Sequence, residues 1–130
     1  METQSAKKRV RAGRIISALP VLFLLVDAVG KFLLLDPVVE ASAELGYSPD
    51  MVLKLGALEA ACAILFALPR TAVLGAVLLT GYLGGAVATH VVHGSSFGFT
   101  LVFGAIVWLG MLLRDDRLRV LLPVRHPRSL

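Results

Sequence analysis

Five polar side chains within otherwise apolar stretches are the residues of this sequence that could carry chemistry. Asp27 and Lys31 are spaced i, i+4, and Glu59, Tyr82 and His90 follow in later apolar stretches. Ionisable groups are costly inside a membrane, so each one needs a partner or a function. Lys31 could contact an oxygen atom of a ligand, and Glu59 could move a proton. The residues predict a ligand site whose catalytic candidates are Glu59 and Lys31.

The spacing of these residues predicts that they meet at one level. Asp27 and Glu59 each lie about eight residues from the predicted outer end of a helix, a depth of roughly 12 Å at the helical rise. Tyr82 lies at a similar depth on a third helix, with Lys31 one turn above Asp27 and His90 near the outer rim. We expect a polar pocket in the outer half of a helix bundle. The same side chains could instead only neutralise one another and fix the helix register.

The elements that must hold these residues follow from composition. Of 130 residues, 57% are hydrophobic and 17% charged, and the mean hydropathy is +0.82. Four apolar blocks, each about long enough to cross a bilayer, occupy residues 14–35, 49–68, 71–92 and 97–113. This pattern excludes a water-soluble enzyme and predicts an all-α, integral membrane four-helix bundle.

The distribution of charge predicts the topology. The net charge is +4, and the bases cluster before the first block, at Arg70 and after the fourth block, whereas residues 36–50 contain four acids and no base. Basic flanks stay in the cytoplasm, so we expect both termini in the cytoplasm. The protein itself is expected in the inner membrane of the cell. The predicted organisation is a basic N-terminus (1–13), a four-span domain (14–113) and a basic tail (114–130). Such flanks are an ordinary topology signal, and no nucleic-acid partner is expected.

Several local signals refine the helices. Pro20 should kink the first span. Asp36 followed by Pro37 predicts an N-cap and a short amphipathic outer helix over 37–45. Gly81-x-x-x-Gly85 should form a smooth face that another helix can approach closely. Residues 118–122 predict an amphipathic stretch along the inner surface.

The remaining candidate ligands argue against metal and thiol chemistry. Cys62 is the only cysteine, so a dithiol reaction within the chain is excluded and a packing role is expected. His90 and His93 are spaced i, i+3, but zinc needs three or four ligands and no other His or Cys lies near them. We therefore expect no bound metal.

A set of short motifs resembles one family. Residues 81–90 (GYLGGAVATH), together with 30–32 (GKF), 45–47 (LGY) and 55–59 (LGALE), are similar to the DoxX-like family of small four-helix bacterial membrane proteins. The resemblance covers residues 14–113, and the positions that match its pattern are Lys31, Glu59, Gly84, Gly85, Ala88 and His90.

This resemblance implies a quinone-linked redox role, because the family's namesakes resemble subunits of a thiosulfate:quinone oxidoreductase. It implies a redox partner subunit and a bound quinone, with no cofactor held by the chain itself. Kinship of this kind is an argument by association. Asp27 enters only through the spacing argument.

The function predicted from the sequence is a membrane subunit that binds a small lipophilic or quinone-type ligand through Asp27, Lys31, Glu59, Tyr82 and His90. One alternative is a small transporter or channel that works as a homo-oligomer. Another is a membrane scaffold that recruits partners through its basic termini and has no chemistry of its own.

Overall fold

Helices form almost all of the chain that the computed structural model describes, residues 2–122. The elements are α1 (Glu2–Phe32), α2 (Asp36–Glu44), α3 (Pro49–Ala67), α4 (Ala72–Val92), α5 (Gly98–Arg114) and α6 (Asp116–Leu121). They make up 85% of the described residues, which contain no strand. The predicted all-α class is confirmed. The predicted basic tail continues into residues 123–130, which lie outside the described part of the chain.

The first helix is longer than its apolar block. It begins at Glu2 instead of near residue 14, because the basic segment is rich in helix-forming Lys, Arg and Ala. Its 31 residues span about 46 Å at the helical rise, which exceeds the roughly 30 Å of a hydrocarbon core. The helix is continuous through Pro20, so one end must project beyond any bilayer that the apolar part crosses.

The short helix α2 is set between two tight turns. Leu34 adopts φ 48° before it, and Gly46 adopts φ 84° after it. The turn makes Leu35 the N-cap of α2 and places Asp36 in its first turn without a capping hydrogen bond, so the predicted N-cap role of Asp36 is wrong. The side chain of Ser48 does cap α3, where it accepts a hydrogen bond from the Met51 amide at 3.4 Å.

Four long helices pack in a closed ring. Helix α1 packs on α3 and α5, and α4 packs on the same two helices. Helix α2 contacts α1 and α3, whereas α6 contacts α5. We call the end of the long helices that carries α2 the α2 end, and the end that carries α6 the α6 end. The shared core consists of buried residues that include Leu24, Cys62, Ala63, Phe66, Ala76, Leu79, Val107 and Met111. The predicted packing role of Cys62 is confirmed.

Close helix contacts occur at glycines other than the predicted ones. A Cβ atom at Gly75 would overlap the backbone of Phe66, and one at Gly110 would overlap Ser17. At Gly81, Gly84 and Gly85 a Cβ atom would meet nothing within 4 Å. No helix of the described chain therefore packs on the face for which a close approach was predicted. The tight contacts lie between α3 and α4 and between α1 and α5.

Two of the helices are long and apolar enough to cross a membrane, α1 over Gln4–Phe32 and α4. Helix α5 is apolar but has only 17 residues, fewer than the roughly 20 that usually cross a bilayer. Helix α3 has 19 residues, of which Asp50, Lys54 and Glu59 are charged. Large apolar side chains on the outer faces are exposed, for example Leu22, Val26, Leu74 and Leu101. Such a surface is unsuited to water and suited to lipid.

Basic side chains fix the α6 end. The guanidinium of Arg114 lies 5.3 Å from the centroid of the Phe66 ring and donates to the Phe66 carbonyl oxygen at 3.3 Å. Arg9 on α1 forms an ion pair with Asp116 on α6. The carboxylate of Asp115 accepts from the Arg117 amide at 3.0 Å, and the Arg117 guanidinium holds the pKa of Asp115 below its usual range.

The substitution Gly75→Ala should destabilise the protein, because the added methyl group would overlap the Phe66 backbone. Overpacking of this kind costs about 1–3 kcal/mol. We expect a lower midpoint of thermal unfolding in detergent, followed by circular dichroism. Gly84→Ala is the matched control, since the same methyl group meets open space on the same helix. Equal midpoints for the two variants would contradict the described α3–α4 contact.

Candidate functional site

One ammonium group joins two carboxylates between α1 and α3. The Lys31 Nζ atom donates to Glu59 Oε2 at 2.6 Å and also donates to Asp27 Oδ2. The side chain of Glu59 is 2% exposed, that of Lys31 12% and that of Asp27 35%. We call these three residues the ion cluster. Their predicted proximity is confirmed.

The local sequence explains how the cluster forms. Asp27 and Lys31 are one turn apart on the same face of α1. Gly56 lies one turn from Glu59 on α3, and a Cβ atom there would be 3.0 Å from the Lys31 Cβ and 3.5 Å from the Ala28 carbonyl oxygen. The absence of a side chain at Gly56 therefore lets α3 approach α1 closely enough for Glu59 to reach Lys31.

A large cavity lies between α2, α3 and α4, beside the ion cluster. Its volume is about 830 Å³, within the usual range for ligand pockets. The polar lining residues lie towards the α2 end, where Val38, Leu45 and Leu55 also line the cavity, and the lining towards the α6 end is apolar. The polar wall includes Asp27, Lys31, Ser42, Tyr47, Tyr82, Thr89 and His90, and the apolar wall includes Leu58, Ala61, Leu65, Val77 and Leu78.

The glycines of α4 belong to this cavity. Gly81 and Gly85 line it, which explains why a Cβ atom at either position would meet nothing within 4 Å. Gly84 points elsewhere on the same helix and lines neither cavity described here. The glycine motif thus provides open volume in the described chain, where the sequence predicted a helix contact.

A second, smaller cavity lies on the other side of the cluster. It has a volume of about 150 Å³, and Asp27, Lys31 and Tyr82 line both cavities, whereas Glu59 lines only this one. Its remaining wall contains three aromatic rings, those of Phe23, Phe99 and Phe103, whose centroids lie 5.4–5.9 Å apart. Leu24, Leu83, Ala86 and Thr100 complete the wall. The ion cluster and Tyr82 therefore separate a large cavity from a small one.

His90 lies on the wall of the large cavity without joining the ion cluster. Its Nδ1 atom is 2.7 Å from the Ala86 carbonyl oxygen. A carbonyl oxygen only accepts, so Nδ1 carries the proton and Nε2 is the nitrogen that can accept. The Nδ1 atom of His93 is engaged in the same way, 2.9 Å from the Thr89 carbonyl oxygen. The two rings thus turn their Nδ1 atoms to the helix backbone.

Tyr47 and α2 cover the polar part of the large cavity, a role that the sequence analysis did not assign to them. The Thr89 hydroxyl donates to the Gly85 carbonyl oxygen at 2.9 Å, so the Tyr47 hydroxyl must donate to Thr89 Oγ1, also at 2.9 Å. Val38 and Ala41 of α2 line the same cavity. The amphipathic pattern of residues 37–45 could have indicated this covering role, because an amphipathic helix needs an apolar surface against which to pack.

Comparison with known proteins identifies the family. The fold is that of an all-α protein with lipid-compatible apolar helices around a buried ion cluster. The family model described as the DoxX-like family matches residues 15–110, which is most of the chain, and the chain belongs to this family. Together, family and helices define a membrane protein. No curated protein and no solved structure gives a significant match.

Replacing Lys31 by Met should destabilise the protein strongly, because the buried Glu59 carboxylate would lose its ammonium partner. Breaking a buried pair costs about 3–5 kcal/mol. We expect a large fall in the midpoint of thermal unfolding in detergent and a partial recovery in the double variant Lys31→Met/Glu59→Gln.

Lys54→Met provides the matched control. Lys54 forms an i, i+4 pair with Asp50 at 3.0 Å, and both side chains are about three-quarters exposed (76% and 75%). Exposed pairs contribute at most about 1 kcal/mol, so this variant should unfold close to the unmodified protein. If Lys31→Met and Lys54→Met lost similar stability, the buried ion cluster would stabilise the protein no more than an exposed ion pair does.

Proposed function

We propose that this DoxX-like protein binds a small lipophilic, quinone-type ligand in the large cavity. The observation that supports this function is the distribution of its lining, with a charged and hydrogen-bonding wall near the α2 end and an apolar wall beyond it. A ligand with one polar group and an apolar body matches that distribution, because each part would meet surroundings of its own polarity.

Lys31, Asp27 and Tyr82 are the residues that we propose to contact the polar group of the ligand, since all three line the large cavity. His90 would add a hydrogen bond at the rim. Glu59 lies behind Lys31 and lines the small cavity instead. Its proposed role is therefore to pass a proton between the small cavity and Lys31, without touching the ligand.

The proposal extends to membrane redox chemistry with a partner subunit. A quinone supplies electron transfer when it is bound, and this chain's residues would orient it and exchange protons with its oxygens. The support for this step is the family membership together with the cavity.

We further propose that all four long helices span the inner membrane with both termini in the cytoplasm. The α6 end carries bases from several segments, including Arg9, Arg14, Arg70, Arg114 and Arg117. Helix α2 and its acidic neighbours would lie outside. This arrangement follows the preference of basic flanks for the cytoplasm and places the ion cluster in the outer half of the membrane.

The ligand proposal is tested by filling the cavity. Gly81 lines the cavity, and the Cβ atom of a leucine at this position would meet no protein atom within 4 Å, so Gly81→Leu places a side chain in the open volume. We expect the amount of lipophile extracted from the purified protein, measured by mass spectrometry, to fall about tenfold, equivalent to about 1.4 kcal/mol of binding free energy. Gly84→Leu is the control, because it changes the same helix outside both cavities.

Two results would contradict the proposal. The first is an unmodified protein that yields no stoichiometric lipophile. The second is equal retention by Gly81→Leu and Gly84→Leu. Either result would leave the ion cluster as a structural device that sets the register of α1 and α3.

The proposed topology is tested with reporter fusions in a bacterial host. A reporter active only in the cytoplasm should work when joined after residue 130, and one active only outside should work when inserted at Gly94 in the α4–α5 turn. The proposal of four spans with a cytoplasmic C-terminus would be contradicted if the two positions gave the opposite result. It would also be contradicted if both positions proved to lie on the same side of the membrane. The charge distribution predicts the first outcome.

A further inference from the structure

The polar wall of the large cavity restricts the chemistry of the group that can bind there. Lys31 already donates to two carboxylates, so its ammonium is not a free cation. Of the three protons that a lysine carries, at most one remains for a ligand. An anionic group would therefore enter beside two carboxylates that share one ammonium, and like charges repel most strongly in apolar surroundings.

Several side-chain atoms on this wall can still accept a hydrogen bond. Among the described residues, Asp27 forms its hydrogen bond through Oδ2, which leaves Oδ1 to accept from a ligand. The Nε2 atom of His90 can also accept, because Nδ1 carries the proton. The Tyr47 hydroxyl has used its proton on Thr89 and retains only accepting capacity. A ligand that covers this wall must therefore donate at least one hydrogen bond if it is to replace the water that these acceptors would otherwise bind.

Donors are present on the same wall, but they are fewer. The remaining Lys31 proton and the hydroxyl of Tyr82 are available to a ligand that accepts. A carbonyl group would satisfy these donors and leave Asp27 Oδ1 without a partner. A ligand that displaces water from Asp27 without donating to it would leave a charged acceptor unpaired, which is costly. A group that both donates and accepts therefore fits the wall better than a carbonyl or a carboxylate.

From this geometry we infer that the ligand is a lipophile with a neutral hydroxyl head, which donates to Asp27 and accepts from Lys31 or Tyr82. The inference rests on the proposed function of the large cavity and narrows the proposed quinone-type ligand to its reduced, hydroxyl-bearing form, because an oxidised quinone offers only carbonyl groups. The hydroxyl is the smallest neutral group that can make both bonds. The apolar body would extend along Leu58, Leu65 and Leu78 towards the α6 end.

Three probes with the same tail distinguish the head groups. They are 4-heptylphenol, its methyl ether 4-heptylanisole, and 4-heptylbenzoate. Each is equilibrated with the purified protein in detergent, with empty detergent micelles as the blank for partitioning. A hydrogen bond to a charged acceptor supports at least about a tenfold preference, so we expect the phenol to bind at least that much more tightly than the anisole or the benzoate.

Variants of Asp27 test whether its carboxylate accepts the hydrogen bond from the hydroxyl of the phenol. Asp27→Leu should reduce the preference for phenol over anisole to about twofold or less, because the charged acceptor is lost, while Lys31 keeps its pair with Glu59. Asp27→Asn, the conservative change, should give an intermediate preference if the leucine variant folds poorly. Asp50→Leu is the matched control: it removes the acid of another i, i+4 pair with a lysine, on the exposed surface of α3, and should keep the full preference.

Each outcome separates the two proposals. Equal binding of phenol and anisole, blocked by Gly81→Leu, would overturn the hydroxyl inference and leave the cavity as a ligand site. Tightest binding of the benzoate would also overturn it, since Lys31 would then act as a free cation. No binding of any probe, together with no co-purified lipophile, would overturn the proposed function itself.

Discussion

The ion pairs of Lys31 are the interaction on which the rest of this structure depends. A charge buried among apolar helices must be paired, because an unpaired one costs several kcal/mol. Lys31 meets that requirement for Asp27 on its own helix and for Glu59 on α3. The requirement fixes the relative height and rotation of α1 and α3, and Gly56 removes the side chain that would keep them apart.

The two ends of the molecule differ because their packing differs. Towards the α6 end, Gly75 brings α4 against the backbone of Phe66, and buried apolar side chains such as Leu79 and Val107 fill the interior. Towards the α2 end, α3 and α4 enclose the large cavity with α2 beside them. This difference in packing between the two ends is the distribution on which the proposed ligand site rests.

The helices were predictable and their contacts were not. Apolar blocks and their boundaries predicted α3, α4 and α5 to within a few residues, because hydrophobic periodicity and breaking residues such as Pro49 act locally. The start of α1 was placed about twelve residues too late, since a basic segment ends an apolar block without ending a helix. The glycines of α4 were assigned to a helix interface, but small residues permit either a close contact or a cavity, and the neighbouring helices decide between them.

The sequence by itself determined which polar residues share a level in the bundle, because helical rise and periodicity fix the depth and face of each side chain. Helical spacing therefore predicts the proximity of Asp27, Lys31 and Glu59. The packing of the helices placed Glu59 on the small cavity, His90 on the large one and Asp27 on both. The physical reason is that the distance between two helices depends on the side chains of all the helices around them, which no single segment specifies.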